Sequence, residues 1–373
     1  MKNDNKKKIL MITTFYPPSK GGIQTYSYEI VKNLNNLGDE VTTLVISSNG
    51  IKKILSVNSF KVYKNNKKIS FRSIFSRFDI ILVSSWFPSA IFGVILSRLY
   101  SANLFISAHG NELLYPKKYP FMEKIMLWCF DNANKIFSVS NYTKKILINM
   151  GVENIKIVVI PNGTDPARFN PDISGEEILE KYKLKNKKII FSVSRLVERK
   201  NFGIIIESMG EILKQFPNTV YLIGGEGLMK EKWMKLAKNK GFEDSVIFLG
   251  YIPDEELPKY YNISNVFVLP SKELKNEGEV EGFGISFLEA NACGIPVIGG
   301  KSGGVEDAII DGKTGVLIDP GNKEQIQKEI IKILRNPKFA KSLGINGRKR
   351  VLNELSWEKI TYKIKEYIHD KVK

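Results

Sequence analysis

Short apolar runs alternate with amphipathic helical stretches along this chain, and that alternation constrains its fold more than any other feature. "KKILMITTF" (7–15) is apolar enough for a buried strand, whereas "IQTYSYEIVKNLNNLG" (23–38) has apolar residues near helical spacing and ends at Gly38. Because parallel strands need a crossover between them, repeated strand–helix–strand units predict a parallel, doubly wound sheet. The later apolar runs of this first series are "EVTTLVIS", "DIILVSS", "NLFISAHG", "KIFSVS" and "KIVVIPNG".

The same alternation starts again at "KIIFSVSRL" (188–196). A polar stretch with three prolines, "PNGTDPARFNPDISGEEILEKYKLKNK", separates the two series. A chain of 373 residues is also long for a single core. We therefore predict an α/β protein with two doubly wound domains, at 1–175 and 176–355, followed by a helical segment at 356–373.

Composition narrows the class of protein. A hydrophobic content of 43% with 11% aromatic residues is typical of a globular chain. The two cysteines, Cys129 and Cys293, suggest no disulfide framework, and the N-terminal region does not have the pattern of a signal peptide, so we expect a cytoplasmic protein. Residues 79–100 are apolar enough to suggest a membrane span, but Ser84, Ser85 and Pro88 favour a strand, a turn and then a helix.

Positive charge is concentrated in the first half of the sequence. Residues 1–164 hold 22 Lys/Arg and 9 Asp/Glu, a balance of +13, whereas residues 165–373 hold 34 and 30, a balance of +4. The asymmetry predicts an anionic partner for the first half, either a nucleic acid, an acidic lipid surface or an anionic acceptor. The alternative is a lysine-rich soluble surface that has no anionic partner. Because the lysines are scattered and no common nucleic-acid motif is present, nucleic acid is the weakest of these partners.

Ligands of doubly wound sheets bind beyond the carboxyl ends of the strands, and glycines and cations follow two predicted strands here. Gly21 and Gly22 stand between a strand and a helix, which suits either a bound phosphate at the helix N-terminus or merely a tight turn. In "SVSRLVERKNFG", Arg195 and Lys200 are placed to hold a diphosphate. We expect Arg199 to point to solvent.

His109, in "SAHGNE", follows another predicted strand and is either structural or part of the site. "EVEGFGISFLEANACGIP" (279–296) carries Glu281 and Glu289, with a helix predicted to begin near Gly284. The two carboxylates would lie roughly 10 Å apart, with the free N–H groups of residues 283–285 between them. A nucleotide-sugar matches this layout, because carboxylates bind hydroxyls and N–H groups bind phosphate. The alternative is an acidic helix start with no ligand.

Together these stretches resemble the retaining glycosyltransferases of the family 4 group. The similar motifs are "GGIQTY", "AHG", "SVSRLVERKN", "IGGEG" and "EGFGISFLEANACGIPVIGGKSGGVEDAI", in the family's order along essentially the whole chain. The resemblance implies the GT-B architecture, in which two Rossmann-like domains face each other across a cleft. Two of the motifs are most similar to those of bacterial enzymes that add mannose to phosphatidylinositol mannosides, and to those of related polysaccharide enzymes.

The resemblance also implies roles for individual residues. His109 would sit beside the reacting sugar, Arg195 and Lys200 would bind the diphosphate, and Glu281 would contact the sugar hydroxyls. Glu289 would bind the ribose, and the C-terminal helix would cross back to the first domain. The implied catalytic residues are thus His109, Arg195, Lys200 and Glu281, and the implied substrate-binding residues are Gly21, Gly22, Asn162, Tyr251, Ile252, Phe283, Gly284, Ile285 and Glu289.

The implied reaction moves a hexose from GDP-mannose or a UDP-sugar to a lipid-linked or polysaccharide acceptor, with retention of anomeric configuration. No metal or other cofactor is expected, and neither is nucleic acid as a partner. The basic first domain is expected to dock at the inner face of the cytoplasmic membrane. Two alternatives remain: a non-hydrolysing nucleotide-sugar epimerase, which would need further acid/base residues, and a basic nucleic-acid-binding protein.

Overall fold

The chain forms two compact units in a computed structural model that describes residues 6–19, 21–48, 57–65, 67–274 and 276–370. Unit 1 comprises Met1–Asn162 and Trp357–Lys373, and unit 2 comprises Gly163–Ser356. Residues 163–175, which the sequence assigned to the first domain, therefore belong to unit 2. The physical reason is hydrogen bonding, because the Asn262 side chain donates to the carbonyl oxygens of Asn170, at 2.9 Å, and Ile173, at 2.7 Å.

Unit 1 is built on an eight-stranded sheet in the order β4-β3-β2-β1-β5-β6-β7-β8. The pairs from β2 through β1 to β8 are parallel, as predicted. The antiparallel edge formed by β3 and β4 was not predicted, because its sequence is rich in lysine and asparagine and only part of it is apolar. The strands are β1 (Lys8–Thr13), β2 (Glu40–Ser48), β3 (Val57–Lys64), β4 (Lys67–Ile69), β5 (Ile80–Val83), β6 (Asn103–Ala108), β7 (Lys135–Ser138) and β8 (Ile157–Val159).

The C-terminal helix of the chain belongs to unit 1, where it packs against the first helix of that unit. Lys365 donates to the carbonyl oxygen of Leu37 at 2.6 Å, and His369 lies 3.0 Å from the buried carboxylate of Asp39. These contacts join the end of the chain to the loop that follows the first helix. The helices are α1 (Gly22–Asn36), α2 (Ile91–Tyr100), α3 (Asn111–Leu114), α4 (Pro120–Asp131), α5 (Asn141–Asn149) and α14 (Trp357–Asp370).

Unit 2 contains a six-stranded sheet in which every neighbouring pair is parallel, in the order β11-β10-β9-β12-β13-β14. The order reverses between β9 and β12, and in open parallel sheets ligands bind beyond the carboxyl ends of the strands at such a point. The strands are β9 (Lys188–Val193), β10 (Thr219–Gly224), β11 (Val246–Gly250), β12 (Val266–Leu269), β13 (Val297–Gly300) and β14 (Val316–Ile318). The helices are α6 (Glu176–Lys181), α7 (Phe202–Gln215), α8 (Lys230–Asn239), α9 (Leu257–Asn262), α10 (Ile285–Ala292), α11 (Val305–Ala308), α12 (Lys323–Arg335) and α13 (Pro337–Arg350).

The predicted class, two doubly wound parallel-sheet domains, is confirmed. The segment at 79–100 forms strand β5 and helix α2, as its serines and proline predicted. Within the described parts of the chain, no helix has both the length and the apolar character needed to cross a bilayer.

Candidate functional site

The reversal point of the unit 2 sheet brings together the loop after β9 and the loop after β12. The first loop contains a short turn at Glu198–Lys200, and the second contains Glu281. Glu281 Oε2 accepts hydrogen bonds from Lys200 Nζ at 2.5 Å, from Arg199 Nη1 at 2.8 Å and from Ser271 Oγ at 3.4 Å. Two cations and one carboxylate therefore meet where the fold would place a ligand.

This cluster is largely shielded from solvent. The side chains of Arg199, Lys200 and Glu281 are 6%, 9% and 13% exposed. Burial raises the pKa of the Glu281 carboxyl, but the charges of Lys200 and Arg199 outweigh burial and lower that pKa to about 2. Burial lowers the pKa of Lys200 to about 8, with Glu281 opposing and the nearby guanidinium groups assisting. Lys200 and Glu281 are thus both charged at neutral pH.

The cluster carries more positive than negative buried charge. Arg199 and Lys200 share one buried carboxylate, and the exposed Arg195 adds a third cation, whose charge also lowers the pKa of Lys200. Glu279 lies 3.8 Å from Arg199 Nε, but its side chain is 42% exposed and is screened by water. Because buried charge is costly unless it is paired, the surplus favours an anionic ligand.

The backbone at Glu281 is fixed by a glycine turn. Gly304 N–H donates to the Glu281 carbonyl oxygen at 2.8 Å. Gly303 has φ of +60°, and a Cβ there would lie 2.3 Å from that same oxygen. All hydrogen bonds to the Glu281 carboxylate reach Oε2, and none of the described residues donates one to Oε1. The second oxygen is therefore available to a ligand hydroxyl.

Helix α10 starts directly after this loop, as the sequence predicted. Gly284 precedes it with φ of +96°, a conformation that favours glycine, and Phe283 is buried. Ile285 is the first residue of the helix and is half-buried. Within the described residues no acceptor is found for the N–H groups of Phe283 and Gly284, so these amides can serve an anion.

Glu289 lies on α10 and accepts a hydrogen bond from Tyr261 at 2.8 Å. Burial raises the pKa of its carboxyl, while the Tyr261 hydrogen bond and the charge of Arg168 oppose that rise. Tyr251 is 50% exposed, but the Ile252 side chain is buried, and a Cβ on Gly224 would approach it to 2.6 Å.

His109 belongs to unit 1 and follows β6. Its Nε2 lies 2.8 Å from the carbonyl oxygen of Ser84, and its ring packs edge-on against Tyr26 at 4.8 Å. Burial lowers the pKa of His109 to about 4, so the ring is neutral at pH 7. A carbonyl oxygen only accepts, so Nε2 carries the proton and Nδ1 is left as an acceptor.

Further polar atoms of unit 1 are buried near the carboxyl edge of its sheet. Glu112 Oε1 accepts a 2.5 Å hydrogen bond from the His109 backbone, whereas Glu112 Oε2 has no partner. Burial raises the pKa of Glu112 to about 7. Asn162 is also buried, and its Oδ1 has no partner. Gly21 has φ of +145°, and α1 begins at Gly22, as a helix N-terminal site requires.

One expectation from the sequence needs correction. Arg199 does not point to solvent but is buried against Glu281, because the turn at Glu198–Lys200 directs both cations inward. In helix α4, Met126 is fully buried, while Phe121 and Trp128 remain 75% and 39% exposed. Sequence reasoning also missed Ser271 and Tyr261, since a hydroxyl that supports a carboxylate has no distinctive sequence pattern. In the described part of the chain no three His, Cys, Asp or Glu side chains are grouped to hold a metal ion.

Two doubly wound parallel-sheet units are the GT-B architecture that the sequence resemblance implied. A family model for "Glycosyltransferase Family 4" matches residues 20–168, and one for "Glycosyl transferases group 1" matches residues 174–350. The chain belongs to the family 4 group of glycosyltransferases.

Curated relatives and solved structures agree with this assignment. The chain is 28% identical over 365 residues to the GDP-mannose-dependent alpha-(1-6)-phosphatidylinositol monomannoside mannosyltransferase of Mycolicibacterium smegmatis, covering 94% of this chain and 95% of that protein. The fold of the present chain is similar to that of a glycosyltransferase from Rickettsia africae, with a TM-score of 0.78 at 23% identity and 99% of both chains covered. It is also similar to Anabaena HepE in complex with UDP and glucose, with a TM-score of 0.76 at 18% identity, covering 97% of this chain and 99% of that one.

Proposed function

We propose that the protein is a retaining hexosyltransferase that moves a hexose from GDP-mannose or a UDP-sugar to a lipid-linked or polysaccharide acceptor in cell-envelope glycan synthesis. The observation that carries this proposal is the surplus of buried positive charge beside Glu281, at the sheet position where a nucleotide diphosphate would bind. The name of the mycobacterial relative supports a GDP-sugar, whereas the UDP complex of HepE supports a UDP-sugar.

In this proposal Arg195 and Lys200 bind the donor diphosphate. Arg195 is exposed and its guanidinium suits two phosphate oxygens, and Lys200 offers a compact charge beside it. The N–H groups of Phe283 and Gly284 add backbone donors. Glu281 Oε1 accepts a hydrogen bond from the sugar, Glu289 binds the ribose, and the backbone at Tyr251 and Ile252 holds the base.

The proposed chemistry follows from where charge develops. The bond between the anomeric carbon and the diphosphate oxygen breaks, and Arg195 and Lys200 stabilise the negative charge that builds on the leaving group. The acceptor hydroxyl attacks from the face that the diphosphate leaves, and a departing phosphate oxygen takes its proton. The configuration is thereby retained. We place the neutral His109 beside the reacting sugar, where Nδ1 would accept a hydrogen bond from a hydroxyl.

The acceptor side of the proposal rests on unit 1 and on its charge. Residues 1–164 carry +13, and Phe121 and Trp128 of α4 stay exposed near Lys124. Lysines near an anionic bilayer contribute on the order of 1 kcal/mol each, so several hold a peripheral enzyme reversibly at the inner face of the cytoplasmic membrane. Vesicle flotation tests this step, and binding should require anionic lipid and weaken as salt rises. Protein that stays in solution with anionic vesicles at low salt would favour a soluble glycan acceptor.

A panel of nucleotide-sugars, scored for slow donor hydrolysis, tests the proposed donor reaction. We expect one donor class to be cleaved, and Lys200→Met to slow cleavage by about 10²-fold or more, as loss of a charge-stabilising group does. Lys185→Met is the matched control, because Lys185 belongs to unit 2 but pairs with exposed carboxylates on α6. Conversion of the donor into its epimer without cleavage would support an epimerase instead, and inertness toward every donor would reject the proposed reaction.

A further inference from the structure

Glu281 has two cationic partners in the structure, and only one of them has another proposed role. Lys200 is assigned to the donor diphosphate, so the single positive charge of its ammonium group is then shared between Glu281 and the phosphate oxygens. Arg199 has no such second role, and its Nη1 lies 2.8 Å from Glu281 Oε2. Without Arg199, donor binding would leave a buried carboxylate with only the shared ammonium group and the Ser271 hydroxyl, which is costly.

We propose that Arg199 is a positioning residue that keeps the Glu281 carboxylate paired and oriented when Lys200 turns to the donor diphosphate. This inference rests on the proposed function. It makes the ion pair between Lys200 and Glu281 weaker when a donor is bound and the pair between Arg199 and Glu281 a constant feature. Arg199 then acts on the donor through Glu281 rather than by touching it.

The surroundings of Arg199 fit a fixed support. Its side chain is buried, and its carbonyl oxygen accepts the Lys272 N–H at 2.9 Å. Its Nε has no hydrogen-bond partner and lies 3.8 Å from Glu279, so the short contact is the one to Glu281. A guanidinium stays charged and has a rigid planar shape, so it holds Oε2 in one orientation. That orientation leaves Oε1 for the ligand.

A double-mutant cycle separates this role from a direct one. We expect Arg199→Met to weaken GDP or UDP binding in calorimetry by at least tenfold, because Lys200 alone must then neutralise both Glu281 and the phosphate. Arg199→Lys should restore part of the affinity, which also guards against a folding defect in the methionine variant. In a Glu281→Gln background no carboxylate is left to be unpaired, so Arg199→Met should change affinity by less than about twofold.

Arg350→Met is the matched control, since Arg350 is another arginine of unit 2 whose Nε has no hydrogen-bond partner. Its guanidinium donates to the backbone carbonyls of Asp307 and Ala308, and its Nε lies 3.7 Å from the exposed carboxylate of Glu354. It should leave nucleotide affinity unchanged. An equal loss on Arg199→Met in the wild-type and Glu281→Gln backgrounds would mean that Arg199 attracts or touches the nucleotide directly. Unchanged affinity in Arg199→Met would overturn this inference alone, and a wild-type protein that binds neither nucleotide would overturn the proposed function with it.

Discussion

Replacing Glu281 with glutamine should destabilise unit 2 by an amount that depends on pH. The pKa of Glu281 falls from 4.5 to about 2 in the folded protein, because Lys200 and Arg199 outweigh the effect of burial. Each pH unit of that fall corresponds to about 1.4 kcal/mol, so the ionised carboxylate contributes about 3 kcal/mol to the free energy of unfolding at pH 7. This agrees with the cost of about 3–5 kcal/mol for breaking a buried ion pair by removing one partner.

The sign of the pH dependence follows from the lowered pKa. A carboxyl that is more acidic in the folded state stabilises it above the unfolded pKa, and that contribution is lost as the pH falls toward the folded pKa. The difference in unfolding free energy between the wild type and Glu281→Gln should therefore shrink from about 3 kcal/mol at pH 7 to about 2 kcal/mol at pH 3.5. The glutamine variant has no carboxyl to titrate at this position.

Pulse proteolysis across a urea series measures this difference, with peptides of unit 2 quantified by mass spectrometry so that unit 1 does not mask the transition. Glu211→Gln is the control, because Glu211 pairs with Lys214 on the surface of α7, where water screens the pair, so its pH-dependent difference should be much smaller. The reasoning would be refuted by a difference below about 1 kcal/mol at pH 7, or by a difference that does not change between pH 7 and 3.5.

Three further variants extend the account to other parts of the molecule. His109→Ala should reduce turnover more than it weakens nucleoside-diphosphate binding in calorimetry, because His109 belongs to unit 1 whereas the residues proposed to bind the diphosphate belong to unit 2. Equal losses of turnover and binding would contradict this prediction. Gly303→Ala places a Cβ 2.3 Å from the Glu281 carbonyl oxygen, so thermal unfolding should show a loss of stability and donor hydrolysis should fall with it. Asp39→Asn removes the buried charge that faces His369, so hydrogen exchange in α14 should rise while exchange in unit 2 stays unchanged.

The sequence predicted most of the fold because parallel strands covered by helices on both faces appear as continuous apolar runs. The runs that became β1 and β9 are buried almost throughout. The edge strands β3 and β4 lacked this pattern, since only one face of an edge strand needs to be apolar. The boundary between the units was placed too late for a similar reason, because residues 163–175 are polar and are held to unit 2 through their backbone.

Within the candidate site, the sequence predicted where the charged residues lie relative to strands and helices better than it predicted which side chains are buried. It placed Arg195 and Lys200 between a predicted strand and the next helix, and Glu281 in the loop before another predicted helix; the structure brings Lys200 and Glu281 into contact at 2.5 Å. It could not predict that both adjacent cations in "ERK" would be buried, because a short turn has no periodicity from which to infer a buried face. Arg199 therefore emerged only from the structure, as did the Tyr261 hydroxyl on Glu289.

The configuration of the first product formed from the donor tests the central claim most directly. Proton NMR can follow the cleavage of a nucleotide-sugar in real time, before the released hexose equilibrates between its anomers. We predict that the first hexose has the same anomeric configuration as the donor, and that Glu281→Gln and Lys200→Met form it at least about 10²-fold more slowly. An inverted first product, or cleavage that is unchanged in both variants, would contradict the account.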